Sequence, residues 1–167
     1  SGRALGGDLI NGRIMEKRLL RYFGNEVTIS GKTRLPRVFL EALTKNWYQI
    51  GLLKNVKNME ALDYFLVNSS DQLPIKRLIN LIENDLGYSL FEEIDRVKIE
   101  LSGKEAESFC FRQSGMDVEE MIARKDFEGY IAEDVAAAAD CIEEALTMAK
   151  TEAGQIDRVV VTGGSSK

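Results

Sequence analysis

The chain has 167 residues, 44% of them apolar and 29% charged, with a formal net charge of -5 and no histidine. That length holds one ordinary domain, or two small lobes sharing a core, and the composition is that of a folding globular chain. Interspersed charge leaves no basic stripe for nucleic acid or an anionic membrane, and the missing histidine removes Ser-His-Asp triads, Cys-His dyads and most zinc sites. No apolar run approaches the roughly 20 residues that span a bilayer, and the amino end carries no export signal, which sets a cytoplasmic expectation. Cys110 and Cys141 are expected to be small buried hydrophobes, since two cysteines make no disulfide framework.

Along the chain, Leu5-Gly6-Gly7-Asp8 reads as a loop before a helix carrying Leu9, Ile10, Ile14, Leu19 and Leu20, which Gly24 can close in a left-handed cap. A polar stretch from Asn25 to Arg34 follows. Leu35, Val38, Phe39, Ala42 and Leu43 then define one apolar helical face, with Pro36 suited to the first turn. Asn58 is a candidate cap for a helix with Met59, Leu62, Phe65 and Leu66. Asp71 is one for a helix with Leu73, Leu78, Leu81 and Ile82 that closes at Gly87. Ser89 followed by Glu92 has the capping-box spacing, ahead of the stripe Leu90, Ile94, Val97 and Leu101 that ends near Ser102-Gly103.

Alternation from Glu107 to Arg112 and from Met116 to Val118, around the turn residues Ser114-Gly115, predicts a two-stranded hairpin. Asp126 opens the longest periodic segment. Phe127, Ile131, Val135, Ala138, Ala139, Ile142, Leu146 and Ala149 face one way there, until Gly154. Ile156 and the run Arg158 to Val161 read as a short, doubly buried strand leading into Thr162-Gly163-Gly164-Ser165.

Taken one at a time, the motifs are weak. A Gly-Gly-Ser turn after a strand lets backbone N-H groups approach a phosphate or a base, but such pairs are commonly plain turns. Ser165-Ser166-Lys167 lacks the glycine that a phosphate-binding P-loop needs directly before its lysine. Gly6-Gly7-Asp8 fits an anion site at a helix N-terminus or, more commonly, a simple cap. Glu92, Glu93, Asp95, Arg96 and Lys98 read as the solvated side of an amphipathic helix, and neither Glu119-Glu120 nor Glu143-Glu144 has the spacing of a calcium loop, so no metal is assigned to them.

Their order is more telling. Leu5-Gly6-Gly7-Asp8, then Asp95-Arg96-Val97-Lys98-Ile99-Glu100-Leu101-Ser102, then Ile156 through Thr162-Gly163-Gly164-Ser165-Ser166-Lys167 resembles the seventy-kilodalton heat-shock chaperones, members of the actin-like ATPase superfamily. The likeness is strongest from about Ile94 to Lys167 and loose from Asn25 to Gly87, where extra helices look like an insertion and suggest a divergent bacterial-type branch. The resemblance implies a nucleotide site. Gly6 and Gly7 fall at the family's glycine pair near the phosphates. Asp95, Lys98 and Ser102 fall at positions around ribose and adenine, Gly163, Gly164 and Ser165 in the loop lining the nucleoside, and Lys167 where an arginine usually meets the adenine ring. Asp95 is a methylene shorter than the usual glutamate, and a lysine cannot stack as a guanidinium does.

By the same resemblance the expected fold is α+β, with an α/β remnant: a helical lobe with a small antiparallel hairpin at 1-123, including inserted helices at about 25-87, joined by a long helix to a short core strand at 124-167. The expected role is one lobe of the ATP-binding domain of a chaperone, contributing the adenosine side of its cleft. ATP or ADP is the implied ligand, with magnesium held elsewhere in the parent, and a co-chaperone or exchange factor is the implied partner. The family's phosphate loops and catalytic carboxylates are not in these residues, so hydrolysis by this chain alone is not expected. The alternatives are a helical protein-interaction module and a lobe of an actin-like or sugar-kinase-like ATPase.

Overall fold

Where the helical period of the first segment meets Gly24, the backbone turns left-handed at φ 100° and the segment stops. In the computed structural model, which describes residues 6–160, this segment is an α-helix, α1 (Gly7–Ile14), that widens into a π turn (Met15–Leu19) and tightens into a 3-10 turn (Leu20–Phe23). The polar stretch after it holds a small hairpin that the sequence does not announce, β1 (Thr28–Ile29) with β2 (Thr33–Arg34). Its turn has Ser30 and Gly31 at positive φ.

Helix α2 (Arg37–Lys45) starts directly after Pro36 and buries Phe39, Ala42 and Leu43 as the periodicity predicts, but Val38 faces out. Short α3 (Trp47–Gly51) is capped by Asn46, whose Oδ1 accepts from the Gln49 amide at 3.1 Å. Three cap expectations need correction. Helix α4 (Val56–Asn68) begins two residues ahead of Asn58, so Asn55 is the cap, its Oδ1 accepting from the Asn58 amide at 3.0 Å. Helix α6 (Gly87–Leu101) starts at Gly87, so Gly87 opens this helix instead of closing the previous one, and Ser89 lies inside its first turn with no capping bond. Helix α5 (Leu73–Glu83) has Gln72 at its cap with no side-chain capping bond, so Asp71 stands one residue outside the cap, where its Oδ1 accepts from the Leu73 amide at 3.1 Å.

The predicted hairpin is present and longer than its sequence signal: β3 (Ala106–Gln113) pairs antiparallel with β4 (Met116–Ala123) around Ser114-Gly115. Its inner face of Phe109, Phe111, Met116, Val118 and Ile122 joins Leu90, Ile94, Val97 and Leu101 of α6 in one core with residues of α1, α2 and α5. Each such side chain fully buried contributes about 1.5–3 kcal/mol. Polar groups sew α6 to the hairpin as well. Arg96 donates to Glu107 at 2.8 Å and to the Ser108 carbonyl at 2.6 Å, and Glu93 accepts from the Cys110 amide at 2.9 Å. These two residues are therefore not merely a solvated helix face. Burial raises the Glu93 carboxyl, but its bonds from Arg96 and the Cys110 amide outweigh that and hold it below the usual range.

Helix α7 (Arg124–Ala149) departs most from its periodicity. It packs on α1 and β4, yet buries no residue fully, and Val135 and Ile142 of its apolar stripe are exposed. Apolar spacing supplies a face to bury, but only tertiary packing supplies the cover. Arg13 of α1 ties the helix down by donating to both oxygens of Asp134, at 2.7 and 2.9 Å. The helix ends at a left-handed Lys150 rather than at Gly154, which belongs to a 3-10 turn (Ala153–Gln155). The buried strand expected from Ile156 does not form over residues 156–160. Among the described residues, which exclude Val161, they have no sheet partner, and Val159 and Val160 are 80% and 84% exposed, because a strand needs a neighbour for its amides and carbonyls. Cys110 and Cys141 are half-buried rather than buried. The architecture is thus α+β, mostly helical with two small antiparallel hairpins.

Candidate functional site

Helices α1 and α6 cross so that a polar cluster forms between them. Asn11, on the buried side of α1, donates from Nδ2 to Asp95 Oδ1 at 3.0 Å, and Lys98 Nζ donates to Asn11 Oδ1 at 3.0 Å. Lys98 also pairs with Asp95 one turn away on the same helix. Asn11 is 2% exposed, so its amide is fixed by two partners and in turn holds both charged side chains in place. Asp95 and Lys98 arrive here because Ile94, Val97 and Leu101 are drawn into the core, which sets the adjoining stripe of α6 beside α1.

Beside this cluster runs an open groove of about 490 Å³, lined by Asp8 and Asn11 of α1, Trp47 of α3, and Tyr88, Glu92 and Asp95 of α6 among others. Gly6 caps α1 with its carbonyl, which accepts from the Leu9 and Ile10 amides at 3.1 and 3.3 Å, and Gly7 is the first helical residue. Asp8 occupies the first turn and already complements the helix dipole. An anion here would therefore compete with a fixed carboxylate. Asp8, Glu92 and Asp95 offer hydrogen-bond acceptors along the groove, and the cation of its lining, Arg96, is engaged by Glu93 and Glu107.

Of the residues singled out from the sequence, Asp95 and Lys98 are brought together, and the start of α1 at Gly6-Gly7 opens onto the same groove through Asp8. Ser102 stands apart from them. It caps the C-terminus of α6 and its hydroxyl donates back to the Ile99 carbonyl at 2.6 Å. Gly163, Gly164, Ser165 and Lys167 lie outside the described residues. Sequence reasoning missed Asn11, whose signal was a lone amide among Leu9, Ile10 and Ile14. It also missed Trp47 and Tyr88, which meet edge to face at 5.6 Å and 90°. No local pattern links them. Gly87 does so in space, because a Cβ there would stand 3.0 Å from the Trp47 carbonyl, and its absence lets α3 lie against the start of α6.

Among the described residues no group of carboxylates and cysteines is placed to hold a metal ion, and no helix is long and apolar enough to cross a membrane. Glu120 of β4, missed by the sequence reading, is a buried carboxylate bound by Arg18, Arg21 and Tyr22 of the irregular turns after α1. It joins the hairpin to that segment, away from the groove.

No curated protein and no solved structure gives a significant match to the chain. Residues 60–167 match the family described as Hsp70 protein, a span that contains α6 with Asp95, Lys98 and Ser102, the β3-β4 hairpin and α7. With more than half of its length matched, the chain belongs to the Hsp70 protein family.

Proposed function

We propose that this chain supplies the adenosine side of the nucleotide cleft of a chaperone ATPase, with Asp95 and Lys98 as the ribose-facing pair and Asn11 as the residue that positions them. The observation that carries the reading is the hydrogen-bonded Asn11-Asp95-Lys98 cluster, of which Asn11 and Asp95 line a groove that Asp8 of the first α1 turn also lines. A carboxylate accepts from a ribose diol and an ammonium donates to its oxygens, so a pair held before the ligand arrives loses little side-chain entropy on binding. Gly163, Gly164, Ser165 and Lys167 would close the pocket from a second segment, whereas the Asp8 carboxylate disfavours phosphates beside Gly6 and Gly7, which are left without a phosphate contact. Residues 1-123 would form the helical lobe, with inserted helices at about 25-87, and residues 124-167 its base. ATP or ADP is the ligand of this reading. The groove's acceptors fit the nucleoside, and magnesium would be held by residues outside it.

The test is calorimetric titration of ATP and ADP into the full-length protein and its Asp95→Ala/Lys98→Ala variant. Loss of two charge-assisted contacts, at about 1.5–3 kcal/mol each and not fully additive, should weaken binding at least about 30-fold. Unchanged affinity in the variant would remove this pair from the site. No binding by either protein would end the nucleotide reading. A second reading, that the helices between 25 and 87 dock a partner such as a co-chaperone or exchange factor, is favoured by Val56, Tyr64 and Val67 standing exposed on α4. Binding of such a partner that is lost when these three are replaced by serine, and indifferent to ATP, would support it.

A further inference from the structure

We propose that Trp47 supplies the stacking face for the base of the bound nucleotide, so that the helices between the two motif segments contribute a base-binding residue. The inference rests on the nucleotide reading above and deepens it. Trp47 lines the same groove as Asn11 and Asp95 and is 46% exposed, so one part of its indole is packed and the rest open to a ligand. Its ring is set before anything binds. It meets Tyr88 edge to face at 5.6 Å and Tyr48 at 6.0 Å and 89°, and its backbone sits tightly over Gly87 at the start of α6. An aromatic plane held this way stacks on a purine with little further ordering.

Charge decides which end of the nucleotide lies there. Glu92 and Asp95 line the groove beside Trp47 and Tyr88, while the lining cation Arg96 is already bound to Glu93, Glu107 and the Ser108 carbonyl. Carboxylates accept from an exocyclic amine or a ribose hydroxyl and repel phosphate, so the base end faces Trp47 and Tyr88 and the phosphates point away. Stacking is tolerant of base identity, because every base has a π-face, so purines differing in their exocyclic groups should all feel the loss of Trp47.

The experiment is calorimetric titration of the full-length protein with ADP and with ribose 5-phosphate, which has no base, using wild type, Trp47→Ala, Trp47→Phe and Asp95→Ala/Lys98→Ala. Trp47→Ala should bind ADP about 5- to 100-fold more weakly and Trp47→Phe nearly as well as wild type, while ribose 5-phosphate affinity is the same in all three. Wild-type ADP affinity in Trp47→Ala, beside a loss in the Asp95/Lys98 variant, overturns the stacking role and leaves the nucleotide reading standing. An equal loss for ADP and ribose 5-phosphate in Trp47→Ala also overturns it, since the effect would then be on the shape of the groove. Absence of ADP binding by wild type removes both.

Discussion

Replacing Glu120 by alanine should be the most costly single change at a charged position in this chain. The carboxylate is 5% exposed on the inner face of β4 and is held by three groups from the turns after α1: Arg18, whose Nε donates at 2.9 Å, Arg21, and the Tyr22 hydroxyl at 2.7 Å. Removing one partner of a buried pair costs about 3–5 kcal/mol, mostly through the charge left behind. Here the charges left behind belong to Arg18 and Arg21, whose side chains are 27% and 52% exposed and can regain water, so the expected loss falls to about 2–3 kcal/mol. At a urea m-value of about 2 kcal/mol/M, the midpoint should drop by about 1–1.5 M at neutral pH, read by circular dichroism. Burial alone raises the Glu120 carboxyl, but the bonds from Tyr22, Arg18 and Arg21 overcome it and leave the folded-state value below the ordinary one. The stabilisation is therefore complete above the unfolded value, about 4.3, and disappears as pH falls through the depressed folded value. Glu120→Gln, which keeps the volume, should be clearly less stable than wild type at pH 7 and should approach it on acidification. A midpoint change under about 0.3 M for Glu120→Ala, or a Glu120→Gln deficit that does not shrink in acid, would refute the reasoning.

Two further expectations follow from packing and capping. Gly12→Ala adds a good helix former to α1, yet its Cβ would stand 2.2 Å from the Thr44 carbonyl oxygen, a backbone atom of α2. Thermal unfolding should therefore show a net loss of about 1–3 kcal/mol, and a gain in stability would mean that α1 and α2 are farther apart than described. Asn55→Ala should cost about 1 kcal/mol through the lost α4 cap, whereas Ser89→Ala, despite its capping-box spacing, should stay within about 0.5 kcal/mol of wild type; the reverse order would place the start of α6 at Ser89.

Much of this architecture is legible locally. The buried stripe of α6, the β3-β4 hairpin around Ser114-Gly115 and the left-handed stop at Gly24 all follow from residue type and period, because each depends on neighbours within a few positions. Caps were less legible: Asn55 and Asn58 both have the chemistry, and only the path of the chain entering α4 selects between them. The same holds at Gly87, which looks like a helix terminator and proves to be the residue that lets α3 touch α6.

The site divides along the same line. Asp95 and Lys98, three residues apart on α6, and the glycine pair at the start of α1 were singled out through the resemblance of the ordered motifs to the chaperone family, since their spacing alone reads as a solvated helix face and a simple cap. Asn11 as their common partner, Trp47 beside them, and Glu120 bound across the fold to Arg18 and Arg21 could not, since their separations of tens of residues are closed only by the tertiary fold. Residues 156–160 and α7 show the converse limit. The sequence by itself determined their apolar character, but whether an apolar segment is buried depends on what packs against it, and that is decided by tertiary structure alone.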